Sequence, residues 1–145
     1  MLRISKLTDY GTVVLACLAT SAGRRRTSSE VAEATGLALP TVSKLLKCFH
    51  RAGLVTSTRG AHGGYQLAKP AAHISAAAII DAVEGPVAIT ECSGDHSHCD
   101  LENVCSTGGS WQRINATIRR SLDGISLAQL SGQEAVPSWR PAQRA

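Results

Sequence analysis

Residues 27–52 read TSSEVAEATGLALPTVSKLLKCFHRA, and this stretch decides the fold. Thr27 followed three residues later by Glu30 is a capping box, in which the hydroxyl caps a helix start and the carboxylate reaches back. It predicts a short helix from Ser28 to Thr35, broken by Gly36, a residue free to take positive φ. Leu39 and Pro40 open a second helix, with proline in the first turn where its missing N–H costs nothing. Val42, Leu45, Leu46 and Phe49 form its apolar stripe, and Gly53 ends it. Ala32, before the glycine, is small enough to let the two helices cross closely, while Val42 and Leu45 lock the second onto the first. That spacing is a helix-turn-helix.

Outward toward the C-terminus, Leu54 to Thr58 reads as a strand and Tyr65 to Ala68 as its returning partner, stopped by Pro70. Between them lies the tight turn Arg59-Gly60-Ala61-His62-Gly63-Gly64, which lacks the Lys-Ser/Thr of a nucleotide-binding loop. A hairpin directly after the second helix completes a winged-helix layout. Outward toward the N-terminus, Arg3 and Lys6 precede an apolar run from Gly11 to Thr20 that resembles a weak secretion signal. Asp9 and Tyr10 interrupt it, and Tyr10, Val13, Val14, Cys17 and Leu18 recur as one helical face. The expectation is a first helix and a cytoplasmic protein with no membrane partner.

Charge is divided along the chain. Residues 1–70 hold ten Lys or Arg against three acids, net +7, whereas residues 71–145 hold five against eight, net −3. A basic first half suits a polyanion such as double-stranded DNA. Entering the major groove N-terminus first, the second helix of the motif turns Pro40, Thr41, Ser43 and Lys44 outward. Thr41 and Lys44 are placed for base edges, Lys47 and Arg51 for phosphates. Arg59 at the wing tip is placed for the minor groove. Ser29, Gly60 and His62 complete the expected DNA-facing set.

Aromatic residues are only 3% of the chain, so its core is built from aliphatic side chains, which favours packed helices. The expected fold is mostly α with a small β-hairpin: a winged helix-turn-helix over residues 1–70, a short helix and cysteine-rich loop over 71–107, a long dimerisation helix over 108–130, and a disordered tail over 131–145. In the third part Trp111, Ile114, Ile118, Leu122 and Ile125 are spaced by three or four residues, one apolar stripe suited to a second copy of itself, with Asn115 and Arg119 on its flanks.

Five cysteines do not form a disulfide framework. Cys17 and Cys48 adjoin apolar helical faces and read as inert buried thiols. Cys92, Cys99 and Cys105 fall within fourteen residues, with His96, His98 and four acids nearby. Thiolates so close suit a soft metal or an iron–sulfur cluster, of 2Fe–2S or 4Fe–4S type. Zinc held by three cysteines and a histidine, a redox disulfide without metal, and unrelated thiols are the alternatives. With only three cysteines, the fourth cluster ligand would be His96, His98 or a carboxylate, and a non-cysteine ligand makes a cluster more labile, as befits a sensor. An enzyme with a cysteine nucleophile would need Cys99 paired with His98 or His96, and no orienting motif accompanies them. No small-molecule substrate is expected.

The segments Leu7-Thr8-Asp9-Tyr10-Gly11, Arg59-Gly60 with Gly63-Gly64-Tyr65, and the cysteine triplet together resemble the bacterial iron–sulfur regulators that include IscR and NsrR. The likeness runs from Met1 to about Leu130, and the opening MLRISKLTDYG is similar to the branch regulating the SUF assembly system. The resemblance implies a homodimeric repressor or activator bridged by long helices, with a cluster near the dimer interface and cluster-assembly genes as targets. It also bears on the fourth ligand. The family position that carries histidine in the IscR type is Thr107 here, whereas Asp9 falls on the position from which the NsrR type supplies an aspartate in trans. The first cysteine gap is six residues where the family has five.

Overall fold

The computed structural model describes residues 3–21, 23–94, 99–100 and 105–136. The chain runs α1 (Lys6–Ala19), α2 (Ser28–Thr35), α3 (Leu39–Arg51), β1 (Val55–Thr58), β2 (Gly64–Leu67), α4 (Ala76–Glu84), α5 (Gly108–Asp123) and α6 (Leu127–Leu130). It is a winged helix-turn-helix with helices appended.

The helix-turn-helix forms as its sequence dictates. Thr27 Oγ1 accepts from Glu30 N–H, and Glu30 Oε2 accepts from Thr27 N–H. Gly36 closes α2 in the left-handed conformation at φ 71°. Val42, Leu45, Leu46 and Phe49 are fully buried on α3. The β1–β2 ladder is antiparallel, pairing Val55 with Leu67 and Thr58 with Gly64. Arg26, in the connection before α2, adds a bridge to the outer edge of β2 through Tyr65, with N···O distances of 2.9 and 2.7 Å. Gly64 makes that approach possible: its φ is +140°, and a Cβ there would sit 2.8 Å from the Arg26 carbonyl.

The core joins Val14, Leu15 and Leu18 of α1 to Val31, the α3 stripe, Leu54, Val55, Ile74, Ile79 and Leu127. The buried face of α1 is rotated from the one its periodicity suggests. Val13 is 42% exposed, and the inward residues are Thr8, Gly11, Val14, Leu15 and Leu18. Gly11 is the reason. A Cβ on it would meet Phe49 Cζ at 2.8 Å, so α1 crosses α3 with this bare position at the contact, a position that adds nothing to a hydrophobic pattern.

The C-terminal part also differs from expectation. The helix beginning at Gly108 stops at Asp123 with Gly124 as its cap, so Ile125 lies beyond it, outside the stripe. Ser126 and Gln129 form a new capping box that starts α6. Ile125 O accepts from Ala76 N–H, and Leu127 N–H donates to Ile74 O, which brings Leu127 and Ala128 back into the core of the first unit. Past α6, the Gln133 and Glu134 N–H groups bond the Ala128 carbonyl, so the expected tail begins as an attached turn. Residues 137–145 lie outside the described residues.

Candidate nucleic-acid interface and cysteine segment

The polar face of α3 opposes its buried stripe. Pro40, Lys44, Lys47 and Arg51 recur along it and are exposed, while Thr41 and Ser43 are half-buried beside them. Ser29 is exposed in the first turn of α2, and Arg59, Gly60 and His62 are exposed at the wing tip. Among the described residues Lys44, Lys47, Arg51 and Arg59 enter no salt bridge, so their charge is uncompensated. On α2, Glu30 is ion-paired with Arg24 at 2.8 Å, and its carboxyl is held below the usual range by the Thr27 backbone and hydroxyl and by Arg24 and Arg26. Lys47, His50 and Arg51 line a shallow hollow with Tyr65 between α3 and the hairpin. The sequence reading missed His50, although its position three residues after Lys47 places it on the same exposed face.

The cysteines are all free thiols. Cys17 and Cys48 are half-buried rather than enclosed, each beside an arginine: Arg26 Nη1 is 3.7 Å from Cys17 Sγ, and Arg51 Nη2 is 3.5 Å from Cys48 Sγ. Cys92 sits in a 3-10 turn, Glu91–Ser93, with its Sγ 3.3 Å from Thr90 Oγ1. Cys99 is half-buried. Cys105 is exposed just before α5; the Thr107 hydroxyl, 3.3 Å away, and the Thr107 and Gly108 backbone hold its thiol below the ordinary value. His96 and His98 lie outside the described residues, and among the described residues no three His, Cys, Asp or Glu side chains converge as a metal site.

Asp9 is exposed in the first turn of α1. It edges an open groove of about 670 Å³ whose apolar wall includes Ile79, Ile80, Leu122, Ile125 and Leu130. On α5, Trp111 is 43% and Ile114 45% exposed, while Ile118 and Leu122 are half-buried.

Three polar ties hold this region together, and none was foreseen from sequence. Glu84, the last residue of α4, accepts from Ser5 N–H at 2.9 Å and from the Thr8 hydroxyl, fastening α4 to the start of α1. On α5, Arg119 forms a two-pronged ion pair with Asp81 at 3.0 and 2.6 Å, and Asn115 is buried against residues 87–93. The signal for Asn115 was its place one residue off the apolar stripe.

A hairpin wing after a helix-turn-helix, with an unpaired cationic stripe on the second helix, defines a DNA-binding regulator of the winged-helix class. Residues 4–133 match the Rrf2 family, described as iron-dependent transcriptional regulators, and the chain belongs to that family. It is 39% identical over 108 residues to the putative HTH-type transcriptional regulator ORF2 of Azotobacter vinelandii, covering 74% of this chain but only 65% of that relative. The solved CymR (YrzC), titled the global cysteine regulator of B. subtilis, superposes with a TM-score of 0.69 at 28% identity, over 92% of this chain and 99% of the other. The T. potens IscR structure gives 0.67 at 29% identity, over 99% and 93%. These relatives are named regulators, not enzymes, and among the described residues no helix is long and apolar enough to cross a membrane.

Proposed function

We propose that this chain is a homodimeric DNA-binding regulator in which Cys92, Cys99 and Cys105 hold an iron–sulfur cluster, and in which the state of that cluster sets affinity for an operator. The observation that carries the reading is the set of three free thiols in the segment between α4 and α5, in a chain of an iron-dependent regulator family. The donor chemistry fits: the thiols are soft and unpaired, and the surroundings of Cys105 favour its ligating thiolate form. When bound, such a cluster supplies a centre sensitive to iron and oxidants. Asp9 of a second copy is the favoured fourth ligand, ahead of His98 and His96. Trp111 and Ile114, with Ile118 and Leu122, form the seam between copies, and Ile125 contributes from the groove wall. Iron–sulfur assembly genes, of the SUF type, are the proposed targets, and the cytoplasm is the site of action.

On DNA, Thr41 and Lys44 meet base edges, with Pro40 and Ser43 beside them. Lys47, His50, Arg51 and Ser29 meet phosphates, and Arg59 with Gly60 and His62 enters the minor groove. A hundredfold change in affinity requires only ~2.7 kcal/mol of differential binding between two arrangements of the dimer.

The test is the visible spectrum of protein purified without oxygen, with iron and sulfide assayed on the same sample. Sulfide-to-iron bands that vanish in the Cys92, Cys99 and Cys105 to Ala variant support the reading. A colourless, iron-free protein after reconstitution sinks it and leaves a second reading, thiol-based redox sensing, which the lowered Cys105 thiol and the CymR likeness favour. DNA binding is tested separately, by titration across salt. Removing Lys47 should lower the salt slope by about one, and a flat salt response would reject the DNA surface.

A further inference from the structure

Residues 85–94 leave α4 and run to the first cysteine with only one 3-10 turn among them, so their backbone groups need partners from elsewhere. They find them on α5. Asn115, 9% exposed, spends its whole amide on this run. Its Oδ1 accepts from Ile89 N–H at 3.2 Å, and its Nδ2 donates to Val87 O at 3.1 Å and Ser93 O at 3.0 Å. One turn earlier on the same helix, Gln112 Nε2 donates to the Cys92 carbonyl at 3.2 Å. Backbone groups on both sides of Cys92, and its own carbonyl, are therefore gripped by two side chains of a single helix face.

We infer that Asn115, assisted by Gln112, is a positioning residue for Cys92: it latches the first cysteine to α5, so that the placement of this thiol and the placement of the helix are one variable. This rests on the cluster reading above for its use, but not for its mechanics. Arg119, one turn further along α5, holds the helix to α4 through Asp81, so the latch has a fixed base. A change at Cys92 then passes to α5, which also carries the exposed Trp111 and Ile114. Asparagine suits the task because it offers two donors and an acceptor in one plane, whereas aspartate keeps the acceptor and loses both donors.

The experiment uses the full chain without metal, comparing wild type with Asn115→Ala, Asn115→Asp and Gln112→Ala. Hydrogen exchange at residues 87–93 and the alkylation rate of Cys92 are measured, with Cys17 and Cys48 as internal references. The loss of these bonds should raise both rates, by several-fold to about tenfold for the Asn115 variants and less for Gln112→Ala, while the reference thiols and the amides of α1 and α3 stay unchanged. Unchanged exchange at Ile89 and unchanged Cys92 reactivity would overturn the latch. So would loosening that spreads equally through α1 and α3 in all three variants. If the wild type proves able to bind a cluster, the Asn115 variants should lose it faster to a chelator. A wild type that binds none defeats the cluster reading and leaves the metal-free measurements to decide the latch.

Discussion

The DNA-reading head and the cysteine segment are held by different forces. In the head, Val14, Leu15, Val31, Val42, Leu45, Leu46 and Phe49 are wholly buried, and position is set by shape and by apolar area removed from water. In residues 85–94 none is buried, and position is set by hydrogen bonds made with Asn115 and Gln112 of α5. The head should therefore resist polar changes and fail on changes of volume. The segment should do the reverse.

The largest expected break in this comparison is Phe49→Ala. It removes a fully buried ring that touches the Gly11 crossing, and should cost ~3–5 kcal/mol of unfolding free energy in urea. A loss no larger than that of a surface substitution would show that the head is not organised around this contact. Next comes Gly64→Ala. The added methyl meets the Arg26 backbone, and its backbone conformation is one that L residues avoid, so a loss of about 1–3 kcal/mol is expected, with faster amide exchange at Tyr65. Normal exchange there would mean that the Arg26 bridge does not secure the wing.

The same contrast explains what was legible in the sequence. The helix-turn-helix was readable because each of its parts is local: Thr27 and Glu30 cap within one turn, Gly36 stops α2, and Val42 to Phe49 repeat at helical spacing. The face of α1 was misjudged because its contact is made by Gly11, which carries no hydrophobic signal. The break at Gly124 was missed because Leu127, the residue that makes it worthwhile, packs against residues far away in sequence. The cysteines announced themselves by type and spacing. Asn115 and Glu84 did not, because a polar residue's partner in a distant backbone leaves no periodic trace.

A sharper version of the comparison replaces Cys92, Cys99 and Cys105 by Ala together. In the metal-free protein the head should keep its unfolding free energy to within about 0.5 kcal/mol, since none of the three is in its core. A larger drop would mean that the segment helps to hold the head folded, and the division above would fail.

The smallest effect lies where the two regions meet, at Glu84. Its carboxyl is held below its usual 4.5 by the hydroxyl of Thr8 and by the hydroxyl and backbone N–H of Ser5. A lowered value means that the folded state prefers the ionised form. The stabilisation is thus complete above the ordinary carboxylate range and disappears as pH falls through the lowered folded value. Because Glu84 is exposed, the gain is small, well below ~1 kcal/mol. Glu30 titrates in the same direction, so the quantity to measure is the difference in stability between wild type and Glu84→Gln at each pH. That difference should favour wild type at pH 7 and shrink toward zero on acidification below 4.5. A difference that is constant with pH would assign the tie to packing instead of charge, and one that grows on acidification would contradict the ionised carboxylate as the clasp between α4 and α1.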